Sequence, residues 1–436
     1  MIDIVPFLDL LGEAQAAAVF GLITGLIFGI AAQRSQFCLR AATVEFAHGT
    51  LGPRVAVWLL TFSTALVWVQ GAQALGLVDG QNARMMAVPG SWSGAVIGGL
   101  VFGAGMVLAR GCSGRLLVLA ATGNLRSIMS GLIFAVVAQM SLHGPLAPLR
   151  GWLAGLSVTP GGRNVDYVTA LGLPQHSALV AGLAMAGLAL VIARRNRLDT
   201  GRLIFGSGVG FAVAVGWILT TLLAQAAFEP VQIESVTFTG PSADMLMFFL
   251  SADGVLDFDL GLVAGVVIGA FLAAAWGREL RFQGFDGPKP MRQAMSGAAL
   301  MGFGGMLAGG CAIGSGVTGT SILAATALLA AHRSFRWAVE EEFTAPAIAR
   351  FLILDRRMPR SLYFCASQMA GSLAMLTEEY GDQKPSLDMA NALKARLKDR
   401  DISAIFEEGL HEFVGGLISD IGKLAGQIEQ DYRFIG

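Results

Sequence analysis

From Gln293 to Ala331 the chain carries no charged residue, and six glycines crowd between Gly304 and Gly316. About 20 apolar residues cross a bilayer as a helix, so this run is too long for one span and short for two. Each glycine weakens a helix by roughly 1 kcal/mol. The run is therefore expected to enter as a span, break and turn at Cys311, and resume as a short helix. Irregular backbone survives at membrane depth only where protein or a polar cavity satisfies its amides. A thiol on such a break faces a path rather than lipid.

The rest of the chain has the same character. Hydrophobic residues make up 54% and charged residues 14% of the 436 positions, with a mean hydropathy of +0.62; together with several long uncharged runs this places most of the chain in a membrane. A net charge of −1 and the lack of a basic patch interleaved with aromatics argue against a nucleic-acid partner. The four cysteines include no C-x-x-C pair, so neither a disulfide framework nor a zinc site is expected, and no other metal or cofactor. No G-x-x-x-x-G-K-[ST] sequence points to ATP. The first residues carry no basic segment, and the first span is expected to insert and stay.

Uncharged runs predict spans at about 14–33, 55–78, 85–109, 127–149, 176–193, 203–228 and 260–277. The 293–331 run supplies an eighth and a ninth, both short. Residues 116–125 are apolar but too few to cross, and read as a half-helix; 144–174, rich in glycine and proline, reads as a loop. Arg194, Arg195, Arg197 and Arg202 form one basic loop, and Arg278, Arg281, Lys289 and Arg292 another, whereas 229–259 holds six acids and no Lys or Arg. Positive charge marks the cytoplasmic side. The N-terminus is then outside and residue 332 onward inside, and Arg34, Arg40 and Arg54 also fall inside.

An internal repeat links two halves, about 15–149 and 203–331. Gly94-Ala-Val-Ile-Gly-Gly-Leu-Val-Phe-Gly-Ala-Gly-Met-Val-Leu-Ala-Arg-Gly-Cys112 reads like Gly297-Ala-Ala-Leu-Met-Gly-Phe-Gly-Gly-Met-Leu-Ala-Gly-Gly-Cys311. Both copies end in Leu-Ala-x-Gly-Cys and continue in small residues. The copies enter from opposite sides, and inverted repeats place their site near the midplane where broken helices meet. The fold class expected is an all-α integral membrane protein of about nine transmembrane helices, with short re-entrant helices and a small soluble helical C-terminal region.

The segments Arg34-Ser-Gln-Phe-Cys38, Gly111-Cys-Ser-Gly-Arg115 and Gly310-Cys-Ala-Ile-Gly-Ser-Gly316 resemble the YeeE/YedE family of bacterial inner-membrane proteins over roughly residues 15–331. The resemblance implies a pseudo-symmetric, hourglass-shaped bundle that imports thiosulfate or a related sulfur or selenium species. The family's three pathway thiols map onto Cys38, Cys112 and Cys311. Their neighbours Gly111, Ser113, Gly310 and Ser315 join the expected path, and Arg34, Arg110 and Arg115 are candidates for attracting the anion by their field. The same arginines also read as ordinary topology charges, and Cys112 and Cys311 as small residues that help glycine helices pack.

Thiosulfate is a dianion with a soft terminal sulfur, and an unpaired charge in hydrocarbon costs many kcal/mol. A path must replace its hydration with donors that hold it weakly. Thiols are weak S–H donors suited to a soft sulfur. Broken helices add backbone N–H groups, with half-helix starts expected near Leu116 and Val317. Gln70, Gln139 and Gln225 read either as path lining or as hydrogen bonds between helices; Glu45 and His48 read either as a proton relay or as a surface pair. A second reading is a membrane sulfurtransferase, in which Cys112 or Cys311 takes a persulfide and passes it to a cytoplasmic sulfur-carrier protein; that needs a thiol with a lowered pKa.

Past residue 332 the composition turns polar. Residues 351–365, ending in Cys365, resemble the later part of the alpha-E helical domain. Leu410, Phe413, Leu417, Ile421, Leu424 and Ile428 recur at helical spacing. The division expected is a transporter domain at 1–332 and a soluble helical alpha-E-like fragment at 333–436.

Overall fold

Glycine sets how closely the helices of this protein approach. The computed structural model describes residues 4–342 except 175, 252, 253 and 286; Cys365, the amphipathic run 410–428 and the rest of the expected C-terminal fragment lie outside the described residues. The long helices are α1 (Glu13–Ser35), α3 (Pro53–Ala74), α4 (Trp92–Leu108), α6 (Leu125–Leu142), α8 (Ser177–Arg195), α9 (Thr200–Ala226), α11 (Phe258–Trp276), α12 (Pro288–Leu307) and α14 (Ala325–Glu342). Shorter ones lie between them: α2 (Leu39–Ala47), α5 (Ser113–Ala121), α7 (Ala147–Gly155), α10 (Thr239–Leu250) and the π-helix α13 (Gly314–Gly319). Among the described residues there is no strand, only isolated bridges such as Ser91 with Val158. The fold is all-helical, as expected.

Seven helical stretches among the described residues are long and apolar enough to cross a membrane: Glu13–Ala47, Pro53–Ala74, Trp92–Ala121, Leu125–Leu142, Ser177–Arg195, Thr200–Ala226 and Phe258–Trp276. Two of them run through a cysteine turn. The other two members of the expected nine are α12 and α14, which fall outside this set. Helix α8 exposes Val180, Leu183, Leu188, Leu190 and Val191, an apolar face suited to lipid.

Two glycine-lined pairs hold the centre. A methyl group built on Gly21, Gly25 or Gly29 of α1 would land on backbone of Phe258, Leu262 and Val266, and Gly261, Gly265 and Gly269 of α11 reciprocate against α1. The contacts advance together, so the two helices run parallel. In α4, Gly94, Gly98 and Gly105 meet Leu307, Gly304 and Gly297 of α12 in the reverse order, so this pair is antiparallel. Without a hydrophobic force between helices in lipid, such small-residue contacts are what lets backbones pack. Helix α9 runs parallel to α3, with Gly206 against Val57 and Gly210 against Thr61 and Ala65. Helix α14 runs parallel to α4, where the Ser334 hydroxyl donates to the Gly99 carbonyl at 2.9 Å and Thr326 lies by Gly90.

Two expectations change. Residues 144–174 are not simply a loop: α7 and two short turns fold there, because Pro148 near the start of α7 tolerates a missing N–H at that position. The acidic segment 229–259 contains α10, whose Thr239, Gly240, Pro241 and Ala243 are buried.

Candidate functional site

Each of Cys38, Cys112 and Cys311 follows a turn of one design. A long helix ends, one residue adopts a left-handed backbone (Gln36 at φ 54°, Arg110 at 56°, Gly309 at 77°), and the next residue donates its N–H back five positions. Those bonds are Phe37 to Ala32 at 3.2 Å, Gly111 to Met106 at 3.1 Å and Gly310 to Gly305 at 2.9 Å. This is the Schellman closure, which satisfies orphan carbonyls at a helix end. The cysteine comes next and a short helix starts directly after it: Cys38 and Cys112 are the N-caps of α2 and α5, and helix resumes at residue 312, running into α13. The starts expected near Leu116 and Val317 thus lie a few residues early. A second left-handed residue, Gly49, Gly123 or Leu323, then closes each short helix and releases the chain into α3, α6 or α14. The repeat seen twice in sequence occurs three times in backbone.

The turns bring the thiols together. Cys112 and Cys311 are buried and Cys38 half-buried, and Cys112 lies within electrostatic range of both other sulfurs. The Gly314 N–H donates to Cys311 Sγ at 3.3 Å, and Thr237 Oγ1 lies 4.0 Å from the same sulfur. At Cys112 the Arg115 backbone and guanidinium play the corresponding part. Ser113 and Ser315 are 5% and 2% exposed, and neither Oγ has a hydrogen-bond partner. Buried hydroxyls ordinarily find partners, so these two are free to bond a polar guest. Gly111 and Gly310 are buried between the turn and the thiol.

The three candidate arginines separate. Arg115 has a buried, unpartnered Nη1. Arg110 is exposed, and Arg34 stacks over Phe205 with 5.9 Å to the ring centroid. Of the glutamines, Gln70 bonds between helices, donating to the Ser321 carbonyl at 2.7 Å. Glu45 is a cap: its Oε2 accepts from the N–H groups of Arg54 at 2.9 Å and Val55 at 3.1 Å, at the start of α3.

Sequence reasoning missed a cavity of about 140 Å³ at the end of the bundle that carries residues 229–259. Arg84, Arg150, Trp217, Glu234, Thr239 and the Gly309–Gly310 turn line it, with Thr237 beside Cys311. Arg84 Nη1 donates to Glu234 Oε2 at 3.0 Å. Burial pushes the Glu234 carboxyl up to about 7; Arg84 opposes the shift, and the charges of Asp257 and Asp244 add to it. No local motif announces these residues. The one hint in sequence is the placing of Arg84 and Arg150 at the margins of apolar runs.

Apolar helices on a lipid-suited scaffold, with breaks that carry buried thiols and unpaired hydroxyls inward, define a multi-pass membrane transporter. The chain belongs to the Sulphur transport (YeeE/YedE) family, whose pattern matches residues 34–335. It is 29% identical over 321 residues to the thiosulfate transporter TsuA of Escherichia coli (strain K12), covering 70% of this chain and 87% of the relative. It is 27% identical over 327 residues to the thiosulfate transporter TsuA of Spirochaeta thermophila, covering 71% and 93%. Residues 310–433 also match the Alpha-E family, described as an alpha-helical domain with a conserved ER motif.

Proposed function

We propose that this protein imports thiosulfate, or a closely related sulfur anion, across the bacterial inner membrane by handing it along Cys311, Cys112 and Cys38. The observation that carries this is the threefold Cys turn: three sulfurs on one backbone device, with Cys112 in electrostatic range of both others. The anion's hydration is replaced by S–H groups, the Ser113 and Ser315 hydroxyls, Arg115 and the N–H groups that open the short helices. Several weak sites in series let the ion enter and leave. No covalent step is required.

Nine crossings fit the helix directions. Parallel α1 with α11, α3 with α9 and α4 with α14, and antiparallel α4 with α12, are what alternating passage of nine spans demands. With the basic loops cytoplasmic, the cavity end faces outside and the N-terminus lies there too. The bundle is the transporter domain, and the residues past α14 belong to the Alpha-E-like fragment.

The test is uptake of radiolabelled thiosulfate by vesicles containing only the purified full-length chain. Accumulation of the intact ion, lost in C112A and C311A, supports the path. Release of sulfite with sulfur retained on the protein would instead identify the sulfurtransferase, in which a cysteine persulfide feeds a cytoplasmic carrier.

A further inference from the structure

Gly314 and Thr318 of α13 face Thr237 and Val236, the segment beside Cys311. The opposite face of the same short helix, Ala312, Gly316 and Thr320, is the floor of a second cavity, of about 470 Å³. That is about three times the volume of an apolar cavity that takes up benzene. Its walls come from α2, α3, α8 and α14. Leu39, Val55 and Ile192 are buried in it, whereas Phe46, Leu51, Leu188 and Leu328 are exposed, so it opens sideways out of the bundle. The Thr320 and Ser334 hydroxyls donate to the Gly316 and Gly99 carbonyls at 2.7 and 2.9 Å. Among the described lining residues only His332 and Trp58 carry further polar side-chain atoms. A buried water needs two to four polar partners, so this space suits hydrocarbon. We propose that an acyl chain of an anionic phospholipid from the cytoplasmic leaflet fills this cavity and supports the short helix that follows Cys311.

Charge at the mouth selects the headgroup. Leu188, Ile192 and Arg195 recur at i, i+4 and i+7 on α8, so Arg195 continues the cavity face of that helix toward the basic loop. Arg336 likewise lies one turn past His332 on α14, and all three of these basic side chains are exposed. Glu45, next to Phe46, is engaged by the Arg54 and Val55 N–H groups and by the Arg54 guanidinium. Basic pockets between helices on the cytoplasmic side attract anionic headgroups. The rings of Phe46 and Trp58 pack on Phe335 at 5.5 and 6.0 Å between centroids, and Trp is the residue enriched at headgroup depth. On the floor, a carbon built on Gly316 would meet only the Ala331 side chain, at 3.6 Å. An empty space forfeits the dispersion contacts along its lining. A lipid chain supplies them and holds the π-wound α13 against the 236–237 segment. Its effect on transport rests on the thiol-path reading; its binding does not.

The experiment is native mass spectrometry of the detergent-purified full chain titrated with phosphatidylglycerol or phosphatidylethanolamine. Thiosulfate uptake is measured in parallel, in phosphatidylethanolamine vesicles with and without phosphatidylglycerol. A331F puts a ring where the chain lies, and R195Q, at an exposed site, covers the case of an A331F protein that fails to fold. The expected result is a retained phosphatidylglycerol, bound about tenfold more tightly than phosphatidylethanolamine, weakened about fivefold in R195Q and lost in folded A331F. Wild-type uptake is expected to rise severalfold with phosphatidylglycerol, and A331F uptake to ignore it. Equal retention of the two lipids, wild-type retention in R195Q or in folded A331F, or a lipid-free pair of chains closing the mouth would overturn the proposal. So would uptake indifferent to a phosphatidylglycerol that is retained. If wild-type vesicles import thiosulfate and the protein retains no phospholipid, the thiol path stands and the lipid site falls. If phosphatidylglycerol is retained and A331F displaces it, yet nothing is imported, the lipid site stands and the transport reading falls.

Discussion

At Cys112 the left-handed position is held by Arg110, the following short helix is regular, and Arg115 reaches back to the sulfur. At Cys311 the same position is Gly309, the following helix is π-wound, and the turn opens onto a cavity. The hydrogen bonds that close the two turns are the same. One backbone device thus serves two ends: the regular helix after Cys112 brings Arg115 close to the thiol, whereas glycine at the left-handed position and a π turn set Cys311 beside an open cavity. π turns inside helices often accompany functional sites. The two turns differ in what lies nearest the thiol: Arg115 at Cys112, and the cavity wall of Gly309, Gly310 and Thr237 at Cys311.

The severest way to break this comparison is G98L. Gly98 lies where α4 and α12 cross, and a side-chain carbon there would sit 2.5 Å from the Ala308 backbone nitrogen. Both turns hang from this pair, and overpacking costs about 3 kcal/mol or more in such a contact; loss of folded protein by size-exclusion after solubilisation is expected. Next come C112A and C311A, each expected to lower vesicle uptake by about tenfold or more, the equivalent of about 1.4 kcal/mol. Comparable uptake in both variants and wild type would show that the turns matter and the thiols do not.

The pH response of the cavity separates the two turns further. Glu234 titrates at about 7. Above that pH it is ionised and holds Arg84; as pH falls through about 7 it takes up a proton and Arg84 is released, free to attract an anion on its way to the thiols. Vesicle uptake of thiosulfate is therefore expected to rise as outside pH drops from 8 to 6, within about tenfold for one proton linked over one unit, and E234Q is expected to be flat across that range. The smallest effect is expected from R110G. A non-glycine residue at positive φ costs about 1–2 kcal/mol, and glycine loses about 0.5–1 kcal/mol in chain entropy, so a gain of about 0.5–1 kcal/mol in unfolding stability should follow with uptake nearly unchanged. The matching change G309V would pay the strain instead and narrow the cavity.

Much of the bundle was legible before any coordinates. Apolar runs located the helices, and the Leu-Ala-x-Gly-Cys repeat located two of the breaks. The third, at Gln36-Phe37-Cys38, is not legible as a copy, because its left-handed residue is a glutamine and a phenylalanine stands where the other two have Gly before Cys. Helix α10 was hidden in an acidic stretch whose charges suggested solvent. The cavity residues were illegible for another reason: positions 84, 150, 217 and 239 share no spacing.

Hydropathy and helix breaking are properties of short stretches of chain. Residues 293–331 had to cross, stop and turn whatever surrounded them, and so did residues 94–112. Convergence is not local. Cys112 comes into electrostatic range of Cys38 and Cys311, and Arg84 and Arg150 share a wall with Trp217, because bare glycines let α1 close on α11 and α4 on α12 to backbone contact. That approach distance depends on both partners at once, and no single segment carries it.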